Sequence, residues 1–119
     1  MKKILVVDDE LSVRITVRKI LEYEGFEVSE AEDADVAWNK IKKSKPDLIL
    51  LDVMMPGTTV KVFIENIKKN LALKSIKIIL LTAVMGAKMA LSKEKNIVAV
   101  VGKPFTKEEL LYAVHKVCR

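Results

Sequence analysis

Cysteine is almost missing from this chain. Cys118 is the only one among 119 residues, so no internal disulfide can form, which fits a reducing compartment; a free thiol late in a helical pattern reads as packing. Aromatic residues make up 5% of the sequence while 50% is hydrophobic, so the core is expected to be aliphatic. No apolar run approaches the length that spans a bilayer. The run at 4–7, behind Met1-Lys2-Lys3, is too short for the core of a signal peptide and is cut off by Asp8-Asp9. We therefore expect a cytoplasmic protein with no membrane insertion.

Features of nucleic-acid binding are also wanting. The net charge is +5, from 21 basic and 16 acidic residues, but the lysines are scattered, with no aromatic interleaving, zinc-ligand spacing or recognition helix among them. A solvated basic surface is the expected reading, with no direct nucleic-acid contact. There is no linker, low-complexity segment or internal repeat. The chain is read as a single domain, 1–119, large enough for a real core and without an output domain.

What is present is a regular alternation of aliphatic runs and helical stripes. Residues 3–7 read as a buried strand. Val13, Val17, Ile20 and Leu21 then fall on one helical face, which Gly25 ends. A strand at 26–30 precedes a stripe of Ala34, Ala37, Trp38 and Ile41, stopped by Pro46. Trp38 is read as core packing. Residues 47–51 form the third strand, and Val60, Phe63, Ile64 and Ile67 the next stripe. A strand at 76–81 ends at Thr82. Residues 84–95 allow only a weak helix. A strand at 97–101 leads to a capping box at Thr106 and Glu109 and a last stripe of Leu110, Leu111, Val114 and Val117. Runs without alternation are buried on both faces, as in parallel sheets. The pattern predicts a doubly wound α/β sandwich, flavodoxin-like, with five (βα) units and a five-stranded parallel sheet.

In such a sheet the site lies outside the carboxyl ends of the strands, and the residues there carry chemistry. Asp8 and Asp9 follow the first strand. The run Leu48 to Leu51 delivers Asp52 and stops at Pro56-Gly57. Thr82 ends the fourth strand, and the fifth leads to Lys103-Pro104. Singly, such an Asp is a helix cap, the Thr a turn residue and the Lys surface charge; together they would meet at one edge. Three close carboxylates repel, and either hold a proton or bind a cation. Oxygen ligands without His or Cys suit Mg2+. With a lysine and a hydroxyl beside them, the set describes phosphoryl transfer onto Asp52 as nucleophile.

These residues carry a resemblance. The chain resembles a response-regulator receiver domain of two-component signalling, through Asp8-Asp9, the stretch from Asp52 to Gly57, Thr82-Ala83 and Lys103-Pro104-Phe105. The resemblance implies that Asp52 takes a phosphoryl group from a histidine kinase or histidine phosphotransferase. It implies that Asp9, Asp52 and the Met54 backbone carbonyl bind Mg2+ directly, with Asp8 acting through metal-bound water. Thr82 and Lys103 would contact the phosphoryl oxygens, and the Lys103-Pro104 bond would be cis. Phosphorylation would then remodel a binding surface formed by the fourth helix, fifth strand and fifth helix, read by an output protein that the sequence does not name. On this reading the protein is a signalling phosphoacceptor and catalyses only its own phosphorylation and dephosphorylation.

The sequence departs from the family on the output side. Val100 stands at the position of the switch aromatic, three before the lysine. The second glycine usual after the Pro-Gly turn is missing. The stretch from Thr82 to Lys103 is slightly short, and Asn96 stands where a glycine commonly ends the fourth helix, as the next best left-handed cap. Apolar Met54 and Val84 border the path of hydrolytic water in the family, so slow dephosphorylation is expected. The alternative function is a pseudo-receiver whose output does not depend on phosphate. A phosphatase with an aspartyl nucleophile would need an acid where Met54 stands, and a nucleotide or flavin carrier a glycine-rich or hydroxyl-rich loop where Asp8-Asp9-Glu10 stands.

Overall fold

The strand β3 (Leu48–Asp52) is buried at all five positions, which demands cover on both faces of the sheet that holds it. The computed structural model describes residues 2–53, 60–83 and 94–118 and shows where that cover comes from. The other described elements are β1 (Lys3–Val7), α1 (Leu11–Tyr23), β2 (Glu27–Ala31), α2 (Ala34–Lys43), α3 (Val60–Lys69), β4 (Lys77–Thr82), β5 (Ile97–Gly102) and α4 (Lys107–Val117). The five strands form one sheet in the order β2-β1-β3-β4-β5, with every neighbouring pair parallel. This is the doubly wound sandwich read from the sequence. The weak helix read at 84–95 falls largely at 84–93, outside the described residues.

Successive strand residues point to opposite faces, and this divides the core in two. Leu5, Val7, Ile49, Leu51, Ile78 and Leu80 pack with α2 and α3 through residues such as Ile41, Phe63, Ile64 and Ile67. Ile4, Val6, Leu48, Leu50, Ile79 and Leu81 pack with Val17 and Leu21 of α1 and with Leu110 and Val114 of α4. Apart from Phe63, the largest fully buried side chains are all Leu and Ile, so the core is aliphatic as its composition implied. Trp38 packs, partly buried, against the α2–α3 side. Cys118 lies against the other side, and its burial pushes the thiol pKa up.

The ends of the helices follow from local chemistry. Gly25 adopts φ 92° behind α1, in the left-handed region that glycine enters without penalty. Asp33, not singled out from the sequence, caps α2 by accepting the Val36 N–H at 2.8 Å. The capping box of α4 is formed: the Glu109 N–H donates to Thr106 Oγ1 at 3.0 Å and the Thr106 N–H to Glu109 Oε1 at 3.1 Å.

Two expectations are corrected. β2, β3, β4 and β5 each end one residue beyond the boundary that polarity marked, at Ala31, Asp52, Thr82 and Gly102. Polarity reports access to water, whereas the ladder runs on while neighbours remain: Asp52 pairs with Leu81 and Thr82 with Gly102. Asn96 is not a left-handed cap, because no non-glycine among the described residues has positive φ. It is buried, and its Nδ2 donates to the carbonyls of Lys74 at 2.9 Å and Ile76 at 2.7 Å. Its own carbonyl accepts the Ile78 N–H at 2.7 Å. Asn96 is a polar staple between the chain entering β4 and the chain entering β5.

Candidate functional site

The sheet order reverses at β1 and β3, and the acidic residues sit at the carboxyl ends of those two strands, Asp8 just past β1 and Asp52 as the last residue of β3. Parallel pairing carries Val7 beside Leu51 and Asp52 beside Leu81, so Asp8 and Asp52 emerge at one edge. Thr82 closes the neighbouring strand, and its carbonyl accepts the Lys103 N–H at 2.8 Å. Asp8, Asp52 and Thr82 are all buried, an unusual density of polar groups that demands partners.

Lys103 supplies one of them. Its Nζ lies 2.7 Å from Asp8 Oδ2 and 3.6 Å from Asp52 Oδ2. One ammonium thus bridges two buried carboxylates, one just after β1 and one at the end of β3. Burial acts most strongly on this ammonium and lowers its pKa, but the hydrogen bond to Asp8 and the charges of Asp8, Asp52 and Glu10 together outweigh it, so the pKa is raised. The Lys103-Pro104 bond is cis, as the resemblance implied.

The backbone of Asp8 is held as well. Its N–H donates to the Ala31 carbonyl at 3.1 Å, and its carbonyl accepts from Arg14 Nη1 at 2.6 Å. Asp8 Oδ1 accepts the Glu10 N–H at 2.9 Å. Among the described residues, the carboxylates of Asp8, Asp9 and Glu10 place oxygens within 4.8 Å of one another. Asp8 in this group is buried, while Asp9 and Glu10 are exposed.

The sequence reading named Asp8, Asp9, Asp52, Thr82, Lys103 and the Met54 carbonyl. The structure joins Asp8 and Asp52 through Lys103, puts Asp9 beside Asp8, and ties Thr82 to the backbone of Lys103. Met54 lies outside the described residues, as do Val84 and the Pro56-Gly57 turn. Glu10 and Arg14 were not named as site residues. Glu10 was visible as a third consecutive acid; Arg14 was one of many basic residues.

A donor set of carboxylate oxygens, with no imidazole or thiolate among the described residues near it, fits a hard divalent cation. Beside it opens a cavity of about 500 Å³ between the start of α1 and the stretch after β5, lined by residues that include Glu10, Val13, Thr16, Lys103 and Phe105. Its walls are largely apolar side chains with Glu10 and Lys103 at the acidic end, so an approaching group would find both a nonpolar seat and charge.

The family model described as the response regulator receiver domain matches residues 4–115. The chain is 38% identical over 120 residues to the phosphate regulon transcriptional regulatory protein PhoB of Escherichia coli, covering 99% of this chain and 52% of that protein. It thus spans about half the length of the phosphate-regulon regulators it matches. It is 33% identical over 117 residues to sporulation initiation phosphotransferase F of Bacillus subtilis, of which 92% is covered. Among solved structures, chemotaxis response regulator CheY4 of Vibrio cholerae is similar with TM-score 0.90, 33% identity and 98% of each chain covered. Response regulator TrrA of Thermotoga maritima, in complex with Mg(2+)-BeF, is similar with TM-score 0.86 and 38% identity, covering 98% of this chain and 99% of that one.

Proposed function

The chain belongs to the response-regulator receiver family, and from that premise we propose that it accepts a phosphoryl group on Asp52 in a Mg2+-dependent reaction and signals through a surface that phosphorylation alters. The observation that carries this reading is the single ammonium of Lys103, 2.7 Å from Asp8 and 3.6 Å from Asp52. A positive charge fixed between a candidate acceptor and a candidate metal ligand is what transfer of an anionic group onto an anion requires.

Asp52 is the nucleophile. One of its carboxylate oxygens attacks phosphorus, the bond from phosphorus to the donor breaks, and an acyl phosphate remains on β3. With a phosphohistidine donor the leaving group is an imidazole, which keeps the electron pair of the broken bond. Lys103 would shift its bonding from Asp8 and Asp52 toward the incoming phosphoryl oxygens, and the Thr82 hydroxyl would donate to another of them. Asp8, Asp9 and Asp52, with the Met54 carbonyl, would hold Mg2+, which supplies neutralisation of the phosphoryl oxygens. The all-oxygen donor set supports that ion. The cavity beside Glu10 and Lys103 offers room for the side chain of a histidine kinase or phosphotransferase. The protein is read as acting on itself alone, not as an enzyme with a separate substrate.

Output through a separate protein partner is supported by the likeness to sporulation initiation phosphotransferase F, of which 92% is covered. The half coverage of the phosphate-regulon regulators supports instead a receiver fused to its output. Incubation with acetyl phosphate and Mg2+ followed by intact-mass measurement tests the chemistry. A phosphoryl adduct that is lost in Asp52→Asn is expected. No adduct, or an adduct that survives that substitution, returns the protein to a phosphate-independent interaction module. The apolar side chains at Met54 and Val84, known here from sequence alone, further predict that the adduct outlasts a few seconds at neutral pH.

A further inference from the structure

Resting on the reading of the Asp8-Asp9 turn as a cation-binding edge, we propose that Arg14 is its positioning residue, fixing the Asp8 backbone through the carbonyl while leaving the carboxylates of the turn untouched. Arg14 Nη1 donates to the Asp8 carbonyl at 2.6 Å, and Arg14 Nε donates to Glu30 Oε1 at 3.1 Å. The guanidinium is therefore forked between the acidic turn and β2. Its side chain is only 13% exposed, so both bonds form with little competition from water.

Glu30 is itself held. Its second oxygen accepts from Arg18 Nη1 at 2.8 Å, and its backbone carbonyl accepts from Lys40 Nζ. Register places Glu30 beside Val6, one residue before the Val7–Ala31 pair that leads to Asp8. Arg14 is thus braced against a carboxylate that the sheet itself locates, and it transmits that location to the turn. The other polar atoms of Asp8 are satisfied from different directions, by Ala31, Glu10 and Lys103. Among the described residues, the Arg14 bond alone fixes the carbonyl, and with it the peptide plane that leads to Asp9.

The position also has electrostatic meaning. Asp8, Asp9 and Glu10 crowd three carboxylates together, and their repulsion opposes the ordered turn. Arg14 brings a permanent positive charge against the backbone of that turn. Because its bond to the turn is made to a carbonyl and not to one of the turn's carboxylates, it offsets repulsion without occupying a ligand oxygen. Outer-shell bonds of this kind orient ligands and tune their affinity.

The two roles of Arg14 toward a cation have opposite signs, which makes the proposal testable. As a nearby positive charge it repels a cation, so its removal would tighten binding. As a positioning group its removal weakens binding. The probe is Mn2+, followed by electron paramagnetic resonance of the free ion, on the full chain. We expect Arg14→Met to bind Mn2+ about tenfold more weakly than the unaltered chain. Arg14→Lys keeps the charge but lacks the fork, and is expected to fail to restore affinity. Glu30→Ala removes the brace without touching the turn, and is expected to show a smaller loss in the same direction; it and Arg14→Lys carry the comparison if circular dichroism shows that Arg14→Met does not fold. Equal or tighter Mn2+ binding by a folded Arg14→Met, or full recovery in Arg14→Lys, overturns the positioning role alone. Absence of Mn2+ binding by the unaltered chain overturns it together with the cation-site reading beneath it.

Discussion

Lys103 Nζ donates to Asp8 Oδ2 at 2.7 Å, across 95 residues of sequence, and so joins the end of β1 to the stretch after β5. In this state the ammonium answers the charge of a carboxylate that is wholly buried. Lys103→Met should therefore leave Asp8 short of a partner and destabilise the fold by about 1–3 kcal/mol in the absence of divalent cation. Saturating Mg2+ should return more stability to the variant than to the unaltered chain, since a cation can then take over the neutralisation. Urea unfolding in chelator and in MgCl2 measures both. An equal gain from Mg2+ in the two proteins would mean that Lys103 and a cation do not share these carboxylates.

The acid limb of stability should trace Glu30. The hydrogen bond from Arg18, followed by that from Arg14, holds its pKa below the ordinary 4.5 against the opposing effect of burial. A carboxylate more acidic when folded than when unfolded contributes stability that is fully present above 4.5. That contribution is lost as pH falls through the folded value. Glu30→Gln should thus be less stable than the unaltered chain at pH 7, with the gap closing below pH 4.5. Added salt should narrow the gap at neutral pH, because the Arg18 side chain is 42% exposed and its bond is screened. Urea midpoints across pH and salt give the test, and a gap that is constant with pH would deny Glu30 this role.

These two charge networks differ in how far the sequence revealed them. Asp8, Asp52, Thr82 and Lys103 could be placed at one edge because each follows a strand in an alternating pattern, and topology does the rest. Arg14 and Glu30 sit 16 residues apart, and only the β1–β2 register brings them to the same turn. No periodicity reports that register, so neither residue could be singled out from the sequence. Strand ends were misplaced for a related reason: Asp52 and Thr82 look like loop residues by polarity, yet neighbouring strands still pair with them. The two-faced core was legible because the runs 4–7, 48–51 and 78–81 of β1, β3 and β4 are aliphatic and must be covered twice.

Asn96 sharpens the same point. From the sequence it stood in for a glycine cap; in the structure its side chain binds two carbonyls while its backbone stays at negative φ. Asn96→Gly, which would favour a left-handed turn, should therefore destabilise the protein. Loss of one buried and one partly buried hydrogen bond predicts about 1–3 kcal/mol, and Asn96→Ala should lose a similar amount. Thermal or urea unfolding distinguishes the two accounts, because a stabilised Asn96→Gly would show that backbone freedom matters here more than the amide.

Val100 poses the question of output. It pairs with Leu80, two positions before Gly102 pairs with Thr82, and packs partly buried against the α2–α3 side of the core. Alternation puts Val100 and Thr82 toward the same face, so the two positions are near enough to communicate through packing. A valine has no ring to rotate between inward and outward positions, and any coupling to Thr82 must pass through small shifts of the β4–β5 pair. Val100→Ala should then cost about 1 kcal/mol from lost burial while Asp52 is phosphorylated by acetyl phosphate as before. Phosphorylation-induced shifts in backbone amide resonances should remain along β5 in this variant, somewhat reduced in size. If those shifts vanish in Val100→Ala while phosphorylation is intact, the methyl groups themselves form the switch and the strand-pair account is wrong.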